Sequence, residues 1–287
     1  MKNYIILLRP AQWIKNLFIL LPLFFGLKIT DGNLLCTALL AAFFFSLVTS
    51  AIYIFNDYYD REEDKKHPTK RNRPFAAGKV SIKNAFTLMA VFFFIGCVGS
   101  WAMEPSMLYL VLSYCFLNVL YTLKLKHIVL VDIVIVGIGF VIRLLIGAVV
   151  TGLALSQWIV TMIFLLALFI SIAKRRDDML IYINEGKMTR KVIDGYNMEF
   201  LNASMVLAAT AVIVFYIIYT VSPEVIGKVH TDKLYFTSVF VVLGVLRYLQ
   251  IAFVENNSGS PTEILLKDKF ILFTILGWIV TFVALTY

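Results

Sequence analysis

Four oxygen-bearing side chains lie close together at the end of a long apolar run, and they could bind a metal ion. Asn56, Asp57, Asp60 and Asp64 follow the apolar residues 34–55. On a helix that continues out of this run, positions 56, 60 and 64 fall on one side, with position 57 beside them. Clustered carboxylates repel one another unless a cation lies between them. Mg²⁺ prefers oxygen ligands and commonly combines carboxylates with substrate phosphates, so the pattern predicts a Mg²⁺ site, with Mn²⁺ as a second candidate.

A basic segment follows these acids, and it suits a polyanion held on the metal. Its cations are Lys65, Lys66, His67, Lys70, Arg71 and Arg73. Pro68 is expected to end the helix. The alternative is a solvated loop of mixed charge, as most charge runs are. The position at the end of an apolar span favours the binding interpretation.

A second charged cluster, Lys174-Arg175-Arg176-Asp177-Asp178, also ends an apolar run. Its cations are explained by the tendency of cytosolic membrane ends to be basic. Asp178 lies four residues after Lys174, however, and therefore on the same helix side. Both clusters end a span, so both are candidates to line one cavity mouth.

Two further segments carry polar residues where a span begins or ends. One holds Tyr121, Lys124, Lys126 and His127, and the other holds Arg9, Gln12, Trp13, Lys15 and Asn16. Tyrosine, tryptophan and lysine are ordinary anchors at a membrane interface. Taken alone, the first segment is better explained as an anchor than as a binding site.

A lone arginine inside an apolar segment is the more informative feature. Arg143 follows Asp132 by eleven residues, which places it ~16 Å further along the same helix side. A charge at that depth is costly and normally faces a polar cavity or a partner. A structural ion pair is the alternative, but the spans contain few acids, so a bound anion is the better explanation. Gly137, Gly139 and Gly147 would allow another helix or a ligand to approach closely.

The composition explains where these residues must be placed. The chain has 287 residues, 60% of them hydrophobic, and a mean hydropathy of +0.85. This indicates an integral membrane protein with no soluble domain, so residues 1–287 are expected to form one membrane domain. The formal net charge of +8 is expected to report loops that face anionic lipid, not nucleic acid. Cys36, Cys97 and Cys115 are expected to be small buried hydrophobic residues.

Nine apolar segments are each long enough to cross a bilayer, which predicts an all-α bundle of nine transmembrane helices. They are residues 13–30, 34–55, 84–102, 106–123, 129–150, 156–173, 203–222, 234–254 and 269–286. With the N-terminus in the cytosol, the opposite face carries only Lys28, Lys228 and Lys233 among the cations of the loops. The positive-inside rule therefore predicts a cytosolic N-terminus and a site that faces the cytosol, in the cell membrane.

The residues alone suggest a chemistry. A carboxylate-bound cation beside many lysines and arginines suits a diphosphate leaving group, because these charges neutralise the group as it departs.

In motif order and span number, the chain resembles the UbiA superfamily of intramembrane prenyltransferases, nine-helix bundles with two aspartate-rich motifs. Asn56, Asp57, Asp60 and Asp64 match the first motif. At the second motif the chain departs from ordinary members and resembles the decaprenyl-phosphate phosphoribosyltransferase branch. Five short patterns carry this resemblance: Arg9-Pro10-x-Gln12-Trp13-x-Lys15-Asn16, His67-Pro68-x-Lys70 with Arg73-Pro74, Tyr121-Thr122 to His127, Asp132 with Gly139-Phe140 and Arg143, and Lys174-Arg175 with Asp178. Thr122 replaces a serine of the branch, and Asp178 replaces a glutamate.

The resemblance implies a Mg²⁺-dependent transfer from phosphoribosyl diphosphate to a polyprenyl phosphate. It implies that Asp57, Asp60 and Asp64 hold the metal. The donor phosphates would contact Lys66, His67, Lys70 and Arg73, and the lipid phosphate would meet Arg143, Lys126, Lys174 or Arg175. Lys15, Tyr121 and Asp178 are the remaining candidate substrate-binding residues.

Two other functions remain open on the sequence. One is a prenyltransferase of the same fold, which would use a prenyl diphosphate and an aromatic or lipid acceptor; the basic second cluster argues against it. The other is a transporter or scaffold without catalytic activity. A transporter would be expected to have polar or broken helices in several spans, and few are present.

Overall fold

The computed structural model describes residues 2–66, 70–186, 190–257 and 261–286, apart from the side chains of Lys66 and Thr262. Over these residues the secondary structure is helical, with no strand. The α-helices are α1 (Lys2–Leu8), α2 (Leu21–Phe25), α3 (Gly32–Tyr59), α4 (Arg61–Lys66), α5 (Ile82–Met103), α6 (Pro105–Leu123), α7 (Val131–Thr151), α8 (Gln157–Glu185), α9 (Met198–Val221), α10 (Pro223–Val229), α11 (Ser238–Phe253), α12 (Pro261–Lys267) and α13 (Lys269–Thr286).

The helices form two compact units. The first unit comprises Met1–Lys126 and Val141–Leu155, and the second comprises His127–Phe140 and Ser156–Tyr287. In the first unit α3 packs on α5, α6 and the segment that follows α1. In the second unit α8 packs on α9, and α11 packs on α13.

The predicted number of membrane spans is confirmed for the described residues. Nine segments are long and apolar enough to cross a membrane. Several boundaries differ from the prediction. The sixth span was expected to end at residue 173, but α8 continues to Glu185 and ends at Gly186 in a left-handed conformation, with φ 65°. A glycine at this position ends a helix at little steric cost.

The first span was predicted at residues 13–30, and this was wrong. The apolar segment runs over Lys2–Phe25 and is interrupted after α1. Arg9 has a left-handed backbone, and a 3₁₀ segment, Pro10–Leu20, leads into α2. Pro10 explains the interruption, because proline has no N–H to donate and restricts the residue before it.

Two glycines on α7 permit close approach, as predicted. A β-carbon on Gly147 would lie 2.0 Å from the carbonyl oxygen of Ile19, within the first unit. A β-carbon on Gly137 would lie 2.8 Å from the ring of Phe164, within the second unit. Real β-carbons do not reach such distances, so a side chain at either position would force a neighbour to shift. At Gly147 that neighbour is backbone, which makes the requirement for glycine the stricter of the two.

The expectation for the cysteines is only partly confirmed. Cys115 is buried and Cys97 is half-buried, but Cys36 is exposed. Cys36 lies in the first turns of α3, whose N-terminus is capped by Asp31, which accepts from the backbone N–H groups of Asn33 and Leu34.

Candidate active site

A polar stripe runs along α3 and organises the first unit. It consists of Ser46, Thr49, Ser50, Tyr53, Asn56 and Asp57. These positions recur every three or four residues, so they share one side of the helix. Ser50 donates to the carbonyl oxygen of Leu8 at 2.9 Å and accepts from the indole nitrogen of Trp13 at 3.0 Å. The stripe therefore joins α3 to the N-terminal segment through polar groups.

Two arginines converge on the carboxylate at the end of this stripe. Asp57 is only 2% exposed and accepts from Arg9 Nη2 and from Arg73 Nη1, the latter at 3.2 Å. The same Arg73 Nη1 donates to Asp64 Oδ2 at 2.8 Å. One cationic nitrogen thus lies between two carboxylates, which offsets the repulsion between them.

The other two predicted metal ligands have different partners. Asp60 accepts from Lys126, whose ammonium also lies over the ring of Tyr59. Asn56 accepts from the hydroxyl of Thr122. A single helix through Asp64 was predicted, and this was wrong: α3 ends at Tyr59, Asp60 is its C-cap, and Asp64 lies on α4.

The described residues fit a divalent cation at two carboxylates. No group of three or more acids, histidines or cysteines within metal-binding reach occurs among them. Asp57 and Asp64 nevertheless point at one shared cationic atom. One or two carboxylates with substrate phosphates and water are the usual Mg²⁺ donor set.

Arg143 is buried among neutral polar groups and aromatic rings of the first unit. Its Nε donates to Asn16 Oδ1 at 2.9 Å, and its Nη2 donates to the hydroxyl of Tyr114 at 3.3 Å. Its guanidinium lies over the rings of Phe45 and Tyr114. Asn16 in turn donates to Ser46 at 2.8 Å. Arg143 therefore has polar partners inside its span, and the expectation that it binds an anion stays a prediction.

Lys15 and Tyr53 each interact electrostatically with both Arg143 and Arg9, the arginine that binds Asp57. Lys15 is half-buried and lies within electrostatic reach of Arg143 and Arg9. Tyr53, on the polar stripe, interacts with Arg9, Asp57 and Arg143. The carboxylate pair and the buried arginine are therefore neighbouring parts of one polar region in the first unit.

The second charged cluster forms a separate network in the second unit. Arg175 Nε donates to Asp132 Oδ2 at 2.5 Å, and its Nη1 donates to Asp178 at 3.3 Å. Asp178 also accepts from Arg190 at 2.9 Å, and Asp132 accepts from the hydroxyl of Tyr196 at 2.7 Å. Burial, together with this bond to Asp132, raises the pKa of Tyr196 above its ordinary value. Asp178 therefore pairs with Arg175 and Arg190.

The remaining predicted site residues are placed as follows. Lys174 is exposed on α8, Lys70 is half-buried in the turn before Arg73, and Tyr121 is half-buried in the last turn of α6. Lys66 ends α4, and its side chain is outside the described part of the chain. His67 and Pro68 lie outside the described residues.

Sequence reasoning missed the polar stripe and the partners of the charged residues. The signal for the stripe was available, because hydroxyl and phenol groups at helical spacing in an apolar span are unusual. The pairing of Arg9 with Asp57, 48 residues away, had no such signal, since nothing in the spacing relates them.

Among the described residues, nine segments are long and apolar enough to cross a membrane, and the first unit contains a buried charged site. These features are those of a polytopic membrane protein with a polar site. A sequence model of the UbiA prenyltransferase family matches residues 19–275. The chain therefore belongs to the UbiA prenyltransferase family.

Individual relatives agree with this assignment. Decaprenyl-phosphate phosphoribosyltransferase of Mycolicibacterium smegmatis is 32% identical to this chain, over 97% of this chain and 91% of that protein. The protein of the same name from Mycobacterium tuberculosis is 30% identical, over 96% of this chain and 91% of that protein. The fold is similar to that of a UbiA homolog from Archaeoglobus fulgidus bound to DMAPP and Mg²⁺, with a TM-score of 0.70, 19% identity and 99% of each chain covered.

Proposed function

We propose that this protein transfers 5-phosphoribose from phosphoribosyl diphosphate to a polyprenyl phosphate, such as decaprenyl phosphate, and releases diphosphate. The names of its relatives support this substrate pair. The observation that carries the proposal is the presence, in the first unit, of two distinct cationic centres. One is the arginine between Asp57 and Asp64, and the other is the buried Arg143.

The number of anionic groups in the reaction favours this donor. Phosphoribosyl transfer to a lipid phosphate must accommodate the diphosphate, the ribose 5-phosphate and the phosphate of the acceptor. Prenyl transfer to an aromatic acceptor must accommodate only a diphosphate. A chain with cations at several separate places suits the larger anionic load.

The donor diphosphate is assigned to the end of α3. A divalent cation on Asp57 and Asp64 would supply positive charge to the diphosphate oxygens. Lys70 and Arg73 are the described cations that would bind its outer oxygens, and Lys66 and His67 are assigned the same role by the family resemblance. Asn56 and Asp60, the other predicted ligands, are oriented by Thr122 and Lys126.

The acceptor phosphate is assigned to Arg143 and Lys15. A guanidinium inside an apolar span is costly, and the partners of this one include the neutral groups of Asn16 and Tyr114. Such a cation is prepared to bind an anion that arrives with a lipid chain.

The chemical step needs little proton transfer. An anionic oxygen of the lipid phosphate would attack C1 of the ribose as the bond from C1 to the diphosphate breaks, and the bonding electrons would leave with the diphosphate. A phosphate monoester is already ionised at neutral pH, so no base is required. The task of the protein is to hold both anions in line and to stabilise charge on the leaving group.

We further propose that the N-terminus and this site face the cytosol, as the distribution of lysine and arginine predicts. The protein would then be a multi-pass enzyme of the cell membrane that takes its donor from the cytosol.

A UbiA-type prenyl transfer is the second candidate, because the solved homolog binds DMAPP and Mg²⁺. It would use a prenyl diphosphate and an aromatic or lipid acceptor. The basic cluster of Lys174, Arg175 and Arg176 argues against it.

A donor screen on the purified protein in lipid nanodiscs separates the two. Radiolabelled phosphoribosyl diphosphate is offered with polyprenyl phosphates of several lengths, and a labelled prenyl diphosphate is offered with an aromatic acceptor. The expected result is label from the first donor in the lipid fraction, abolished by a chelator. Label only from the prenyl donor would establish the second candidate.

A matched pair of variants ties the activity to the site. Asp57→Asn is expected to lower kcat/KM by about a hundredfold or more, as for loss of a group that stabilises a leaving anion. Glu62→Gln removes an acid of the adjacent α4 that is exposed and pairs with Lys65, and it should leave kcat/KM unchanged. Equal losses in both variants would contradict the assignment.

A further inference from the structure

The two arginines on Asp57 are held in different ways. Arg9 has φ 52° and ψ 56°, a left-handed backbone that costs a non-glycine residue on the order of 1 kcal/mol. The turn is fixed by hydrogen bonds from Arg9 N to Ile6 O at 3.2 Å and from Gln12 N to Arg9 O at 2.9 Å. Its guanidinium lies 4.9 Å from the centre of the Tyr53 ring. Backbone, ring and carboxylate therefore all fix Arg9.

Arg73 is held by the carboxylates. Within the described part of the chain, the hydrogen bonds of its guanidinium go to Asp57 and Asp64, both from Nη1. Its side chain is 29% exposed, and it follows the short helical turn Lys70–Asn72. Arg73 can therefore leave the carboxylates without breaking a second set of side-chain bonds among these residues.

A divalent cation and the guanidinium of Arg73 cannot both bind between Asp57 and Asp64, because of their charge and the space that they need. Two carboxylates face two guanidiniums, so the group is neutral as it stands. A divalent cation shared by Asp57 and Asp64 would take the position of Arg73 Nη1, since both carboxylates point there. Adding it while both arginines remained would place like charges in contact in a partly buried site, which is unfavourable.

We propose that Arg73 is an exchangeable cation that occupies the metal position in the empty enzyme, and that Arg9 is a fixed positioning residue that keeps Asp57 oriented throughout. Metal binding displaces the guanidinium of Arg73, which is then available for the diphosphate that the metal binds. The need for a metal rests on the proposed function, but the exchange itself requires no substrate.

The exchange can be followed on the wild-type protein by chemical modification of arginine. The protein in nanodiscs is treated with phenylglyoxal, with and without Mg²⁺ at matched ionic strength, and each arginine is quantified by peptide mass spectrometry. Mg²⁺ is expected to speed modification of Arg73 about fivefold, because it breaks an ion pair of the partly exposed kind. Modification of Arg9 and of the exposed neighbour Arg71 should not change. Protection of Arg73 by Mg²⁺, no effect on it, or equal acceleration at Arg9 would each overturn the proposal.

Metal affinity gives an independent test. Mn²⁺ binding is measured by electron paramagnetic resonance, without donor or acceptor, for the wild type, Arg73→Gln and Arg71→Gln. Arg73→Gln removes the competing cation and should tighten Mn²⁺ binding about fivefold. Arg71→Gln removes the same charge from the same turn and should leave affinity unchanged. Equal gains in Mn²⁺ affinity in both variants would mean that net charge alone explains the effect, which would refute the exchange. Unchanged or weaker Mn²⁺ binding in Arg73→Gln would also refute it.

These outcomes are separable from the proposed function. If no donor supports transfer while Mg²⁺ still exposes Arg73, the proposed function fails and the exchange stands. If phosphoribosyl transfer is observed while metal does not change the modification of Arg73, the exchange fails and the proposed function stands.

Discussion

Arg175 and Asp132 form an ion pair in the second unit, and both side chains are almost fully withdrawn from solvent. The pair joins α8 to the first turn of α7, with side-chain exposures of 4% and 0%. Arg175 also donates to Asp178, and Asp132 also accepts from Tyr196. A buried charge that loses its partner is left without compensation, so this contact should matter more for folding than an exposed ion pair.

Asp132→Asn is therefore expected to destabilise the protein by about 3 kcal/mol, at the lower end for a broken buried pair because Asp178 still contacts Arg175. The free energy of unfolding in mixed micelles measures this. Glu255→Gln is the matched control, because it breaks the more exposed pair of Glu255 with Arg247 in the same unit and should cost less than about 1 kcal/mol. Similar losses in both variants would show that the burial of Arg175 contributes little.

Thr122 should act through its hydroxyl, which donates to Asn56 at the end of the polar stripe. Thr122→Ser keeps that donor and should retain the activity of the wild type. Thr122→Ala leaves Asn56 without its partner and should lower kcat/KM about tenfold, as for loss of a group that orients a site. Transfer assays on both variants at equal folded protein test this. If Thr122→Ser and Thr122→Ala lowered kcat/KM equally, the methyl group of Thr122, and not its hydroxyl, would be the important part.

Substitutions of Arg143 can distinguish a role of this residue in acceptor binding from a role in folding. Arg143→Met replaces a buried charge by an apolar side chain of similar length, so the free energy of unfolding should change by less than about 1–2 kcal/mol. Under the proposed function, KM for polyprenyl phosphate should rise about tenfold or more, while the KM of the donor is unchanged. Arg143→Lys keeps the charge, so its KM for polyprenyl phosphate should lie between those of the wild type and Arg143→Met.

The opposite pattern for Arg143→Met would contradict the assignment. A large loss of stability with an unchanged acceptor KM would make Arg143 a structural residue. Measuring unfolding and both KM values on the same preparation decides between the two.

Much of the fold could be predicted from the sequence, because a bilayer imposes a minimum length on each apolar run. The nine spans could be predicted without knowledge of the contacts that the helices make. The break at Arg9 was missed because apolar composition does not distinguish a 3₁₀ segment from an α-helix. The extension of α8 to Glu185 was missed because charged residues end a hydropathy signal without ending a helix.

The site was predictable in its residue types but not in its pairings. Asp57 and Asp64 were predicted from their spacing, Arg73 from the basic segment after them, and Arg143 as a lone arginine inside a span. Their partners could not be, because Arg9 with Asp57 and Asn16 with Arg143 meet through tertiary packing across 48 and 127 residues. The expectation that a bound anion explains the position of Arg143 stays a prediction.

Gly147 offers a test of the packing that places Arg143. A β-carbon there would lie 2.0 Å from the backbone oxygen of Ile19 and 2.9 Å from its carbon. Backbone atoms cannot move aside as a side-chain end can, so Gly147→Ala should force α7 away from the 3₁₀ segment and cost about 2–3 kcal/mol. Gly227→Ala is the control, because a β-carbon at that exposed position of α10 meets nothing within 4 Å. Gly227→Ala should be neutral or stabilise the protein by up to about 1 kcal/mol through helix propensity.

Gly147→Ala should also affect acceptor binding. Since Ile19 follows Asn16 by one turn, the substitution should displace Asn16 from Arg143 and raise the KM of the acceptor lipid. A Gly147→Ala protein with the stability and acceptor KM of the wild type would show that this approach of α7 does not set the position of Arg143.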